Sequence, residues 1–149
     1  MATTFFYRRR LPHILPPGYA FFLTFRLHPS QPHPLEEAEK DAVCLHVGRM
    51  SPGKVLAYVV MPDHVHILYE SSRDEVISKT LQALKGASSH TLVRQYGRKA
   101  PVWQEETFDH AVRSEKELLA TWQYIEANPV RKGLVSAPGT YRWSSLSRA

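Results

Sequence analysis

Residues 57–70 read AYVVMPDHVHILYE. Two short apolar runs, 55–61 and 64–69, meet at Pro62-Asp63, a turn dipeptide, so the stretch predicts a β-hairpin. On the second strand, successive side chains alternate between faces. His64 and His66 therefore project from one side, while Val65, Ile67 and Tyr69 fill the other. Two adjacent imidazoles on a rigid strand, anchored from behind by apolar residues, can form half of a metal site. The competing reading is a pair of ordinary histidines hydrogen-bonded at a sheet surface. Asp63 makes the turn or orients an imidazole, and the turn is the simpler expectation.

Working outward from the hairpin, 19–27 (YAFFLTFRL) is a strand rich in aromatics, with Thr24 and Arg26 on its more polar face. A proline-rich loop follows, whose His28 and His33 lack a spacing partner and read as exposed. Pro34 suits the first turn of a helix running to about Arg49, with Glu36, Glu37 and Glu39 near its positive end. Beyond the hairpin, 72–96 carries Ile77, Leu81, Leu84 and Leu92 at helical spacing, and Gly97 stops it. A fourth strand is expected at 108–113. Ser114 and Glu117 then form a capping box for a helix over 115–128, which Pro129 closes. The tail from Gly133 is irregular, with Tyr141 and Trp143 as docking residues. Trp103 also reads as a packing anchor. The order β-α-β-β-α-β plus a last helix fits a ferredoxin-like (RRM-like) α+β fold, with helices on one face of an antiparallel sheet. A single domain over 1–149 is expected, with 1–18 as a basic, proline-containing arm.

With 149 residues, 43% hydrophobic and 22% charged, the chain has the composition of an ordinary globular domain. No apolar run reaches the roughly 20 residues that cross a bilayer, and no signal peptide is evident, so a cytoplasmic location away from membranes is expected. The one cysteine, Cys44, excludes an intrachain disulfide and a thiolate metal cluster, and it should be buried in a helix. A formal charge of +5 suggests a polyanionic partner. Its basic groups include Arg8-Arg9-Arg10, then Arg94, Arg98 and Lys99, then Arg131 and Lys132.

In the helix over 115–128, Leu118, Trp122 and Ile125 define the buried stripe. Tyr124 is rotated more than a quarter turn away from it, with Asn128 one turn on. So placed, Tyr124 is either available for chemistry or a half-exposed ring covering the sheet edge.

Five segments together carry a family resemblance. They are RRRLPHILPPGYAFFLTFRL (8–27), YVVMPDHVHILYE (58–70), PVWQEETFDHAVRSEKEL (101–118), YIEANPVRKGLV (124–135) and YRWSS (141–145). In order and interval they resemble the single-tyrosine HUH transposases of the insertion-sequence 200/605 group, and within it the REP-associated tyrosine transposases. The resemblance implies that Tyr124, on the C-terminal helix, is the nucleophile, and that His64 and His66 ligate a divalent ion. Asn128 matches the position of a third ligand. Two imidazoles and an amide oxygen suit Mg²⁺ or Mn²⁺ with coordination positions left for phosphate oxygens. The implied product is a 5′-phosphotyrosine and a free 3′-hydroxyl, made on single-stranded or hairpin DNA such as a REP palindrome. Arg8, Arg9, Arg10 and Lys85 are the implied DNA contacts, and the implied assembly is a homodimer or a monomer. His110 is expected to make a structural hydrogen bond.

Two rivals stand beside this reading. A histidine-triad hydrolase needs a third alternating histidine, where this chain has Leu68. A domesticated hairpin-binding protein that no longer cuts remains the non-enzymatic alternative.

Overall fold

The computed structural model describes residues 20–147. The basic arm with Arg8, Arg9 and Arg10 lies outside them. The described chain runs β1 (Ala20–Leu27), α1 (Glu37–Gly48), β2 (Lys54–Val60), β3 (His64–Glu70), α2 (Ile77–Tyr96), β4 (Trp103–Val112) and α3 (Glu115–Arg131). The strands form one sheet in the order β2-β3-β1-β4, antiparallel at every pairing. This is the ferredoxin-like α+β arrangement predicted from the element order.

The two crossover helices and α3 cover opposite faces. Leu23, Phe25, Val65 and Ile67, all buried, alternate with the polar positions of β1 and β3. On that side Trp103 meets Phe25 edge-on at 4.8 Å and donates its indole N–H to Ser88 Oγ of α2. The other side carries Phe22, Thr24, His64 and His66, with Tyr124 of α3 against Phe22 and His66. Every residue of β3 except Glu70 is buried, as expected for an inner strand covered on both faces.

Several boundaries differ from the sequence reading, each for a local reason. Helix α1 begins at Glu37, so Pro34 precedes it, and Leu35 N–H donates to the Pro62 carbonyl. Helix α2 begins at Ile77, not near 72. Asp74 sits at φ 69, in the left-handed region, and the Glu75 carboxylate collects Ser72 N–H, Tyr69 O–H and Thr80 O–H, fixing a turn ahead of the helix. Gly97, at φ 73, ends α2 as expected. Strand β4 starts at Trp103, five residues early, because its polar stretch pairs with β1 across an irregularity after Phe25. Helix α3 carries Pro129 inside it and continues to Arg131. A proline there forfeits its own N–H donor and crowds the carbonyl one turn back, a cost confined to the last turn, and its own carbonyl accepts from Leu134 N–H.

The tail docks as predicted. Tyr141 O–H donates to the Val60 carbonyl, Trp143 N–H to Asp41, and Ser144 bridges to Val59, so YRWSS seals the outer edge of β2. Cys44 is buried on α1. Arg98 belongs to the interior and not to a basic surface: it is 5% exposed, its guanidinium is paired with buried Glu39, and it also donates to the His33 and Pro34 carbonyls. No helix among the described residues is long and apolar enough to cross a membrane.

Candidate active site

The register of β1 on β3 sets Thr24 opposite His66 and Arg26 opposite His64. Opposed residues share a face, so strand pairing alone gathers these four side chains. The two imidazole centroids lie 4.7 Å apart, and both rings are buried. His64 Nδ1 donates to Asp63 Oδ1 at 2.7 Å, and His66 Nδ1 is hydrogen-bonded to Thr24 Oγ1 at 2.8 Å. Both rings thus spend Nδ1 on the protein, which fixes their orientation and leaves the Nε2 atoms for another partner. Asp63 therefore orients an imidazole as well as making the turn. Of the two roles the sequence offers for Asp63, the turn is the simpler expectation, and the residue fills both.

Burial pushes the His66 imidazole down to about 3, with neighbouring His64, Arg26 and Lys132 adding to the effect. Burial also lowers His64, and the Asp63 carboxylate pulls it the other way. Both rings are consequently neutral at pH 7, the form that ligates metals. The shift has a consequence for stability. The ordinary pKa of 6.5 applies in the unfolded chain, so below it the unfolded chain takes up a proton that folded His66 refuses. Stability is unaffected above pH 6.5 and falls as pH drops toward 3. We expect chelator-treated protein to lose about 2 kcal/mol through this group between pH 7 and pH 5. A His66→Gln protein should show a flatter profile by that amount in denaturant titrations. Identical profiles would assign the acid lability elsewhere.

Helix α3 supplies the third side of the site. Its capping residue Ser114 accepts from Glu117 N–H, and Leu118, Trp122 and Ile125 bury the predicted stripe against the sheet. Tyr124 lies beside that stripe, 37% exposed, with its ring centroid 5.5 Å from His66 and 6.0 Å from Phe22. The Arg131 guanidinium stands 5.0 Å from the same ring. Asn128 is only 1% exposed, and its Oδ1 has no hydrogen-bond partner among the described residues. A buried amide oxygen left unpaired costs about 1–3 kcal/mol, which a cation would relieve. Two neutral imidazoles with open Nε2 atoms and an orphaned carbonyl oxygen fit a hard-to-borderline divalent ion.

The remaining predicted contacts fare unequally. Lys85 donates its ammonium to the Gln104 and Glu105 carbonyls at 2.6 and 3.2 Å, so it tethers α2 to β4. His110 makes the expected structural bond, to Glu117 at 2.5 Å. The carboxylates of Glu36 and Glu39 and the imidazole of His33 also cluster at the start of α1. Glu39 is neutralised there by Arg98, however, which removes the charge a cation would need. Sequence reasoning passed over Thr24 and Arg26 as site residues, because strand pairing, not spacing, brings them to the histidines.

Comparison with known proteins bears on the family and the fold. A family model described as "Transposase IS200 like" matches residues 37–128. A REP-associated tyrosine transposase of Escherichia coli is 29% identical over 103 residues, covering 68% of this chain and 59% of the relative. A Haemophilus influenzae protein provisionally given the same description is 28% identical over 107 residues, covering 65% of this chain and 61% of the relative. The chain thus spans about three-fifths of the length of these relatives. A solved REP-associated tyrosine transposase bound to a REP hairpin superposes with a TM-score of 0.73 at 25% identity, covering 89% of this chain and 79% of that one.

Proposed function

The chain belongs to the IS200-like transposase family, and from that premise we propose that it is a metal-dependent single-strand DNA endonuclease and strand transferase acting at hairpin DNA. The observation that carries the reading is the position of Tyr124 beside His66, with the unpaired Asn128 oxygen one helical turn away. His64, His66 and Asn128 would hold Mg²⁺ or Mn²⁺. Such an ion supplies electrostatic stabilisation for charge developing on a phosphate. Tyr124 Oη attacks phosphorus and loses its proton, the 3′-oxygen leaves and takes one up, and a 5′-phosphotyrosine remains. The freed 3′-hydroxyl can later reverse the exchange, so rejoining needs no outside energy.

The chain's own groups serve this chemistry. Arg131 lies over the Tyr124 ring and places a positive charge beside the point of attack, where it can meet a phosphate oxygen. Arg26 and Lys132, whose charges are felt at both histidines, make the site attractive to a phosphate. Because Tyr124 meets His66 of its own chain, the geometry supports attack in cis within one protomer, whether monomer or homodimer. The hairpin held by the structural relative supports a REP-like palindrome as partner. We assign phosphate binding to the arm residues Arg8, Arg9 and Arg10, and not to Lys85, whose ammonium is occupied.

Labelled single strands from the flanks of the chain's own gene, incubated with Mn²⁺, should yield a covalent adduct that survives denaturation. Tight binding without any adduct would mark the domesticated, non-cutting alternative. Hairpin affinity should also fall steeply with salt. Replacing Arg8, Arg9 and Arg10 together should reduce the log–log slope by roughly 2–3, the share of three phosphate contacts. An unchanged slope would place the contacts elsewhere.

A further inference from the structure

The face bearing His64 and His66 continues onto β4, where packing does not explain the residues found. Pairing of Thr24 with Phe108 and of Phe22 with His110 puts Gln104, Glu106, Phe108 and His110 on that face of an edge strand. Phe108 is 52% exposed. Its ring is nonetheless held on two sides, edge-on to Phe22 at 5.8 Å and parallel to His110 at 6.1 Å, and Glu117 fixes His110 in turn. Beside it opens a cleft of about 430 Å³, whose lining includes Thr24, Arg26, His66, Gln104, Glu106 and Phe108.

We propose that this cleft is a nucleobase subsite, which takes one unpaired base of the DNA strand whose phosphate lies at the histidine pair. The proposal rests on the DNA-cutting reading above and extends it to base recognition. Three features point to a base. A preorganised ring with an open face is what stacking on an unpaired base requires, and sheets of this class offer such rings to single strands. The ring is flanked along β4 by Glu105, Glu106, Thr107 and Asp109, all exposed, and its apolar neighbour on the sheet is Phe22, so the patch is too small for a protein interface. Finally, Glu106 would repel a phosphate backbone. Facing a base edge, it accepts hydrogen bonds from an amino group, with Arg26 on the same cleft positioned for the adjoining phosphate. Thymine, which has no exocyclic amino group, should be the base least favoured.

The test uses Tyr124→Phe protein, so that binding is read without cutting. Fluorescence anisotropy would follow oligonucleotides that carry the hairpin and its unpaired flank from the chain's own gene, each with one abasic position. Adding Phe108→Ala should weaken binding to the intact strand about tenfold. At one abasic position the two proteins should bind alike. Glu106→Gln should narrow the preference against thymine at that same position. If Phe108→Ala binds the intact strand as tightly as its parent, or if its penalty persists at every abasic position, the subsite is wrong. If the parent binds no single strand at all, the DNA reading fails first and the subsite falls with it. Because Phe108 is half exposed and touches only Phe22 and His110 among the ring contacts, its loss should lower the melting temperature only slightly and leave the protein folded at the assay temperature, which separates a binding defect from misfolding.

Discussion

Replacing Tyr124 with phenylalanine should abolish the covalent adduct and leave the protein folded and bound to hairpin DNA. The substitution deletes one atom. The ring makes the contacts with Phe22, His66 and Arg131, and the ring stays. Stability should change by no more than about 1.5 kcal/mol, the upper range for one hydrogen bond. Cleavage should drop by roughly four orders of magnitude or more, since losing the nucleophile removes the step itself and not its efficiency. Two of the other tyrosines are ruled out as substitutes by their surroundings. Tyr69 and Tyr141 are buried, and their hydroxyls are committed to Glu75 and to the Val60 carbonyl. Burial also raises both above the ordinary tyrosine range, which disfavours the phenolate. Peptide mapping of a trapped adduct supplies the check. DNA on a peptide lacking Tyr124, or cleavage by the phenylalanine variant, would overturn the mechanism.

The parts of this site legible in the sequence were those written in local periodicity. Period-two alternation put His64 and His66 on one face. The 3.6-residue period separated Tyr124 from the stripe of Leu118, Trp122 and Ile125. Tertiary pairing stayed hidden. Nothing near Thr24 in the chain announces that it will hydrogen-bond His66, 42 positions away, and the register that does so is set by the whole β1–β3 ladder. The start of β4 was missed for a related reason. An edge strand with one solvent face can carry Gln104, Glu105 and Glu106, and its polar composition then reads as loop. Arg98 shows the opposite error, where charge suggested a surface and a buried carboxylate claimed it. The depth of Asn128 was also unexpected. It is expected beside Tyr124, but it is the polar residue on the buried side of α3, and its amide oxygen has no protein partner there among the described residues.

That orphaned oxygen makes the metal assignment testable without any DNA. If His64, His66 and Asn128 hold a divalent ion in the folded state only, adding Mn²⁺ at a hundred times its dissociation constant should stabilise the protein by about 2.7 kcal/mol. For a domain of this size the melting temperature should then rise by roughly 5–10 °C. His66→Ala removes an imidazole donor and should erase most of that rise. Asn128→Ala separates the ligand role from a packing role. In the metal-free protein the wild-type amide oxygen has no partner, so its removal relieves about 1–3 kcal/mol of desolvation, which offsets part of the cavity left behind. The metal-free melting temperature should therefore move little, while the Mn²⁺-induced rise shrinks. A structural asparagine gives the reverse pattern: a large loss without metal and an undiminished rise with it. Thr24→Val offers a graded control, because it withdraws the hydroxyl bonded to His66 Nδ1 and frees the ring to rotate. Disturbing such a supporting hydrogen bond weakens metal affinity by about 10–100-fold. The Mn²⁺ titration of Thr24→Val should accordingly shift to higher concentration and still reach the wild-type plateau.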